Sequence, residues 1–403
     1  MAVGLEPARA LLPVKGVRLG TAQAGVRYQG RTDLALIELA PGSTTAATFT
    51  QNSFEAAPVT LARQHLSTGT SRYWLINSGN ANAATGSPGI ADALATCEMV
   101  GRAGTVPATA VLPFSTGVIG ERMPLAAFEH GVPAAFAALA EDGWMGAAEA
   151  IMTTDTVPKG ASREVTLSDG ACTITGIVKG SGMIRPDMAT MLAFVATDAA
   201  IAADDLQSML RNAVEFSFNR VTVDGDTSTN DACVLAATGA SGVGLAAAAD
   251  RQQFVQVLQE LMLELAQSLV RDGEGATKFI AVEVTGGADA TESLRVAYTV
   301  AHSPLVKTAI FASDPNWGRI VMAIGRAGVR DLDVSGVHVH LGDVCIVRNG
   351  GRAEDYTEEA GQRVMDEEEI LVRIELGRGG AAETVWTSDL SHDYVTINAE
   401  YRT

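Results

Sequence analysis

Cysteine is scarce: Cys97, Cys172, Cys233 and Cys345 are the only four in 403 residues, and they form neither a CxxC pair nor a Cys/His cluster. That excludes a disulfide-stapled miniprotein and offers no zinc site; reduced, mostly buried thiols are expected. Basic residues are also short, 29 Lys and Arg against 47 Asp and Glu, for a formal net charge of −18. With no Lys/Arg run to build a basic patch, such a surface repels phosphate backbones, so no nucleic-acid partner is expected. No stretch of about 18 apolar residues occurs, and Arg and Pro interrupt the opening MAVGLEPARALLPVKGVRLG. A cytoplasmic protein without membrane contact is the expectation.

Histidine, the usual partner of a nucleophilic serine, occurs six times, as His65, His130, His302, His338, His340 and His392, and there is no GxSxG elbow. His338 and His340 alternate with valines in VHVHL and so share one strand face; a metal pair there lacks an evident third ligand. Acyl chemistry, if present, has to proceed without histidine.

What is present is an ordinary globular composition, 47% apolar and 19% charged, long enough for two to three domains or one large α/β unit. Forty-one glycines punctuate short apolar runs that alternate with helical periodicity, an α/β texture. The clearest helix is 251–272, where Phe254, Leu258, Leu261, Leu265 and Leu269 share a face and Gly273 gives a stop. Weaker helical patterns cover about 88–102, 124–141 and 203–216, the last with Asp204 and Asp205 as cap and dipole partners. Segments 164–168, 281–285, 296–301, 337–341 and 370–376 read as strands, as do 171–178 and 191–197.

Between those last two lies the most unusual stretch, GIVKGSGMIRPDMATMLAFVATDA over 176–199. Glycines, Pro186 and the small Ala189 lead to Thr190, placing a hydroxyl at the entrance to a buried strand. The same pattern suits a plain hairpin loop. A threonine can act without histidine when it is a chain terminus, because its own amine, with a pKa of about 8, deprotonates its hydroxyl. An internal Thr190 reaches that state by attacking the preceding carbonyl, an N-to-O shift whose ester water then cleaves. FSTGVIG (114–120) offers Thr116 and Gly117 as a hydroxyl and a backbone N–H aimed at one point, the makings of an oxyanion hole or simply a turn after a strand. VDGDTSTND (223–231) lacks EF-hand spacing and reads as an Asx-rich turn rather than a calcium loop. NSGNANAATG (77–86) lacks the spacing of phosphate-binding loops, and SDPNWGR (313–319) reads as a packed corner.

Together with IMTTDTVPK (151–159), KGSGMIRPDMATML (179–192), RDGEGATKF (271–279), SPLVKTAIFASDPNWGRI (303–320) and DYVTINAEYRT (393–403), these segments resemble the ornithine acetyltransferase family across almost the whole chain. Asp187 departs from the Asn expected at that position and adds a charge near the scissile bond. The resemblance implies an α/β fold of layered sheets and helices. It further implies self-cleavage between Ala189 and Thr190 into intertwined chains, α (1–189) and β (190–403), with two lobes bounded near 280. Thr190 would be the nucleophile, and Thr116 and Gly117 the oxyanion hole. Thr156, Lys179, Thr190, Glu274, Asn398 and the terminal Thr403 would line the substrate pocket, with Thr153 and Thr154 as close rivals to Thr156. The implied reaction is ping-pong transfer of acetyl from N2-acetyl-L-ornithine to L-glutamate through an acetyl-Thr190 ester. It needs neither metal nor organic cofactor, and the implied assembly is a dimer of cleaved heterodimers. Acetyl-CoA stays open as a second donor. Two other classes stay open as well: an N-terminal-threonine amidase or aminopeptidase that uses water as acceptor, and a metabolite-binding protein that has lost its chemistry.

Overall fold

The computed structural model describes residues 2–6, 10–69, 71–185 and 191–400. It divides into two compact units, the larger comprising Pro7–Asn219 and Asp226–Leu269, the smaller Met1–Glu6, Arg220–Gly225 and Val270–Thr403.

The larger unit stacks two sheets between two layers of helices. One sheet runs in the order Val17–Ala22, Leu34–Leu39, Tyr73–Asn77, Val111–Ser115, its last pair parallel. The other runs Thr44–Phe49, Ala232–Ala237, Leu192–Thr197, Gly170–Lys179, Lys159–Leu167, with the second and third strands parallel. Apolar side chains line both faces of the central strands, which is why LALIEL and LAFVAT read as continuous apolar runs rather than alternating ones. Between the sheets Phe194 packs against Trp74 and Phe114, ring centroids 5.9 and 5.1 Å away. On the outer face of the first sheet, Leu34, Leu36 and Leu75 meet Cys97, Val100, Phe128 and Val132 of helices Gly86–Gly104 and Leu125–Ala137. Helix Ala248–Arg271 covers the second sheet, with Phe254, Leu258, Leu261, Leu265 and Leu269 all buried. It can come close because Gly176 lies beneath it: a Cβ there would sit 2.9 Å from Leu265 Cδ1 and 3.0 Å from Val195 Cγ2.

The smaller unit holds a seven-stranded mixed sheet ordered Gly351–Arg352, Val344–Arg348, His338–Leu341, Glu369–Glu375, Phe279–Gly287, Ala381–Ser388, Val221–Thr222. Ile370, Val372, Ile374 and Leu376 face its core, as the alternation in sequence predicts. The mixed α/β layering expected from the sequence is thus the architecture found. One expected strand is not: 296–301 belongs to helix Ala290–Ala301. Its valines mislead on propensity, yet Val296, Ala297, Val300 and Ala301 form a helical stripe. Asp289 caps the helix by accepting the Glu292 amide, and Glu292 in turn accepts the Ala288 amide. Asp204 and Asp205 lie in the first turn of helix Ala203–Glu215, whose N-cap is Ala202 without a side-chain cap, so only their dipole role stands. His338 and His340 share a half-buried face, and no third ligand joins them among the described residues. Cys97, Cys172 and Cys233 are buried and Cys345 half-buried, all as free thiols. No helix of the described residues is long and apolar enough to cross a membrane.

Lys307 is a buried cation in the smaller unit. Its Nζ donates to Thr387 Oγ1 at 2.8 Å and to the Ser388 carbonyl. Burial pushes its pKa down from 10.5 to about 8, against the pull of Asp389 and Asp224. The unfolded chain therefore binds this proton more tightly, so stability gains with rising pH between about 8 and 10.5, by roughly 3 kcal/mol for 2.5 pH units at 1.36 kcal/mol each. Denaturant titrations should show wild type gaining on Lys307→Met across that window. Parallel pH curves for the two proteins would refute the assignment.

Candidate active site

Strand ends of the larger unit meet at one level. Asn77 and Ser115 close two parallel strands and pair in register. In the other sheet, Lys179 lies opposite Leu192, and Ala232 lies beside Leu192. Met191 and Asp231 therefore sit side by side at the mouths of their strands, next to the end of the strand carrying Lys179.

The 77–82 loop is a cradle built of backbone. The Thr116 amide donates to the Asn77 carbonyl at 3.0 Å, the Val118 amide to the Gly79 carbonyl at 3.3 Å, and the Ala81 amide to the Val118 carbonyl at 3.0 Å. Asn77 accepts the Ser115 hydroxyl and donates to the Asn80 carbonyl, while Asn230 donates to the carbonyls of Ala81 and Ser115 at 2.7 and 2.9 Å. These bonds account for the Asn-rich sequence without a phosphate. Gly117 lies between the engaged amides of Thr116 and Val118, and among the described residues its own amide has no backbone acceptor. Its φ of +133° and the 2.3 Å that would separate a Cβ from Gly79 C restrict the position to glycine. Thr116 Oγ1 accepts from Lys179 Nζ at 3.2 Å, which leaves the hydroxyl hydrogen to donate outward. A hydroxyl and an amide thus lie on adjacent residues, the donor types an oxyanion hole uses.

Lys179 is 3% exposed and also donates to Thr153 Oγ1 at 2.9 Å. Beneath it Asp155 receives Lys159 Nζ at 2.6 Å, the Gly180 amide at 2.7 Å and the Thr153 amide at 2.9 Å, and lies 4.0 Å from Lys179 Nζ. Burial alone would push the Asp155 carboxyl up, but Lys159 and Lys179, with the Thr153 amide, hold it well below the usual carboxylate range. Two buried cations thus flank the Asp155 carboxylate.

Asp231 is 1% exposed. Its Oδ1 accepts the Met191 amide at 3.1 Å and its carbonyl accepts the Thr50 amide at 3.0 Å, while among the described residues Oδ2 has no hydrogen-bond partner.

Of the residues singled out from sequence, Thr116, Gly117 and Lys179 are brought together here. Lys179 selects Thr153 from the threonine cluster; Thr154 bonds Ser181 at 2.6 Å, and Thr156 is exposed. In the smaller unit, buried Glu274 accepts from Asn398 Nδ2 at 2.7 Å, so these two also meet. Ala189, Thr190, Asp187 and Thr403 lie outside the described residues. Sequence reasoning did not single out Asp155, Lys159, Asn77, Asn230 or Asp231. The i, i+4 pairing of Asp155 and Lys159 in IMTTDTVPK was the available signal for the first two.

Comparison with known proteins finds the ArgJ family over residues 18–403. The chain is similar to the arginine biosynthesis bifunctional protein ArgJ of Pseudomonas syringae pv. tomato, 55% identical with both chains covered in full. It is also similar to that of Methylococcus capsulatus, 56% identical over 98% of this chain and 97% of the other. Among solved structures, ornithine acetyltransferase from Mycobacterium tuberculosis, complexed with ornithine, is 38% identical over 45% of this chain and 97% of that one, with a TM-score of 0.41.

Proposed function

Because the chain belongs to the ArgJ family, we propose that it is an acetyltransferase of arginine biosynthesis which cuts itself between Ala189 and Thr190 and moves acetyl from N2-acetyl-L-ornithine to L-glutamate. The observation that supports this reading best is the paired donor of Thr116 and Gly117 beside buried Lys179, at the mouth of the strand that follows Thr190. In this reading Thr190, as the new terminus of a β chain 190–403, uses its α-amine to take the proton from its own hydroxyl. The oxygen attacks the acetyl carbonyl of acetylornithine, Thr116 and Gly117 carry the negative charge, and the C–N bond breaks as the ornithine amine collects the proton. The glutamate amine then attacks the acetyl-Thr190 ester, giving N-acetylglutamate and restoring the hydroxyl. Lys179 offers a cation to a substrate carboxylate; Glu274, an anion of the kind that suits an ammonium, is assigned to substrate on resemblance alone. Asn398, bonded to Glu274, is likewise assigned on resemblance. Thr156 and Thr403 remain assigned to substrate on resemblance alone. The cleaved chains would assemble as dimers of heterodimers.

The test is purified protein, acetylornithine and glutamate, with acetylglutamate measured by mass spectrometry. Acetate in its place would mark an amidase, and neither product a binder. The same assay with acetyl-CoA tests the second donor. Thr116→Ala should still cleave at least in part but transfer acetyl about 10²–10³-fold more slowly, the usual loss of one oxyanion donor. Undiminished transfer would remove Thr116 from the site.

A further inference from the structure

Self-cleavage has a requirement that acetyl transfer does not. Before the chain is cut Thr190 has no free α-amine, so another group must take the hydroxyl proton and supply one to the departing nitrogen. Among the described residues of the larger unit, the candidates around the site are few. Lys179 and Lys159 are cations with donors only, and no histidine stands among the site residues. Asp155 is committed through both oxygens to Lys159, Gly180 and Thr153. Asp231 is different. It forms no ion pair, its Oδ1 is anchored on the amide of Met191, the residue directly after Thr190 in the chain, and its Oδ2 makes no hydrogen bond although fully buried. Of the nearby hydroxyls, Thr50 Oγ1 donates to the Ser228 carbonyl, and Ser228 Oγ, which accepts the Asn230 amide, keeps its own hydrogen to donate. Buried carboxyl oxygens are ordinarily paired, so an unpaired one on a carboxyl anchored to the Met191 amide needs a reason. The backbone fixes its place on both sides, through Thr50 N to Asp231 O and Ala232 N to Met191 O.

Resting on the self-cleavage reading above, we propose that Asp231 is the acid–base group of that cleavage, acting through Oδ2. The Thr190 oxygen bonds to the Ala189 carbonyl carbon and its proton passes to the Asp231 carboxyl. Oδ2 then passes that proton to the Thr190 nitrogen as the C–N bond breaks, so the proton count on Asp231 is unchanged and the products are an ester and an amine. Water then hydrolyses the ester, leaving the Ala189 carboxylate and the Thr190 hydroxyl. Burial supports this role by raising the Asp231 pKa, against the Met191 amide, Ser228, Lys179 and Thr50, which makes the carboxylate a stronger base toward the hydroxyl proton.

The experiment compares fresh precursors of wild type, Thr190→Ala and Asp231→Asn by denaturing gel over time. The asparagine has the shape of the neutral acid and still accepts the Met191 amide, but it cannot pass a proton. D231N should cleave at least 100-fold more slowly than wild type, as loss of general acid–base catalysis implies, and should melt within a few degrees of the equally uncut T190A. Cleavage within threefold of wild type would overturn the proposal. So would cleavage of D231N restored by hydroxylamine, which cuts an ester already formed, and so would a melt that collapses along with cleavage. A wild type that stays whole, or a T190A chain that is cut, would overturn the self-cleavage reading itself and Asp231's role with it.

Discussion

Thr190→Ala is expected to run as one full-length band and to make no acetylglutamate, where wild type gives fragments of 189 and 214 residues. In the proposed mechanism cleavage and transfer fail together because one oxygen forms both esters: the ester with Ala189 that cuts the chain and the acetyl ester that carries the substrate. Loss of the nucleophile from a serine protease costs turnover roughly 10⁶-fold, and the same order is expected here for any residual transfer. Thr190→Ser retains a hydroxyl and, once cut, an α-amine, so it should keep part of both activities. Intact-mass spectrometry and acetylglutamate formation read the two steps separately. A T190A protein that is cut, or that transfers acetyl at even a hundredth of the wild-type rate, would place the nucleophile elsewhere.

The fold class and the clustering of several candidate residues are legible in the sequence, for reasons that differ by residue. Helix Ala248–Arg271 was legible because its apolar stripe is long and regular. Helix Ala290–Ala301 was misread because Val, Tyr and Thr favour strands, and its capping signal, Asp289 to Glu292, is only three residues long. Thr116 and Gly117 stood out as a hydroxyl beside a glycine at a strand end. What holds them could not be read, since the 77–82 loop contributes mainly backbone groups and backbone is the same at every residue. The Asn-rich loop and the acidic loop both invite reading as ligand sites, yet Asn77, Asn230 and Asp231 Oδ1 bond main-chain carbonyls and an amide. Asp231 hid in the second of these: as one acid among several in VDGDTSTND it carries no signal, and only its burial beside the Met191 amide sets it apart. Asp155 hid behind three neighbouring threonines for the same reason.

Gly117→Ala is the substitution in which fold and chemistry are hardest to separate, and its expected effect exceeds that of Thr116→Ala. A methyl group at this position would lie 2.3 Å from Gly79 C, 2.5 Å from Asn80 N and 2.6 Å from Gly79 O, all backbone atoms that cannot rotate away. The φ of +133° adds a strain on the order of 1–3 kcal/mol for a residue with a Cβ, and overpacking adds about as much again. Relief requires the 115–118 segment to move off the cradle, which turns the Gly117 amide and the Thr116 hydroxyl away from their common point. Both oxyanion donors are then lost together, so acetyl transfer should fall by more than the ~10²–10³ expected for one of them. Cleavage should slow as well, because the N-to-O shift passes through an oxyanion of its own. A gel time course, the acetylglutamate assay and a thermal melt on the same preparation test this. If G117A melts several degrees lower yet cleaves and transfers like wild type, the glycine serves packing alone and the oxyanion hole lies elsewhere.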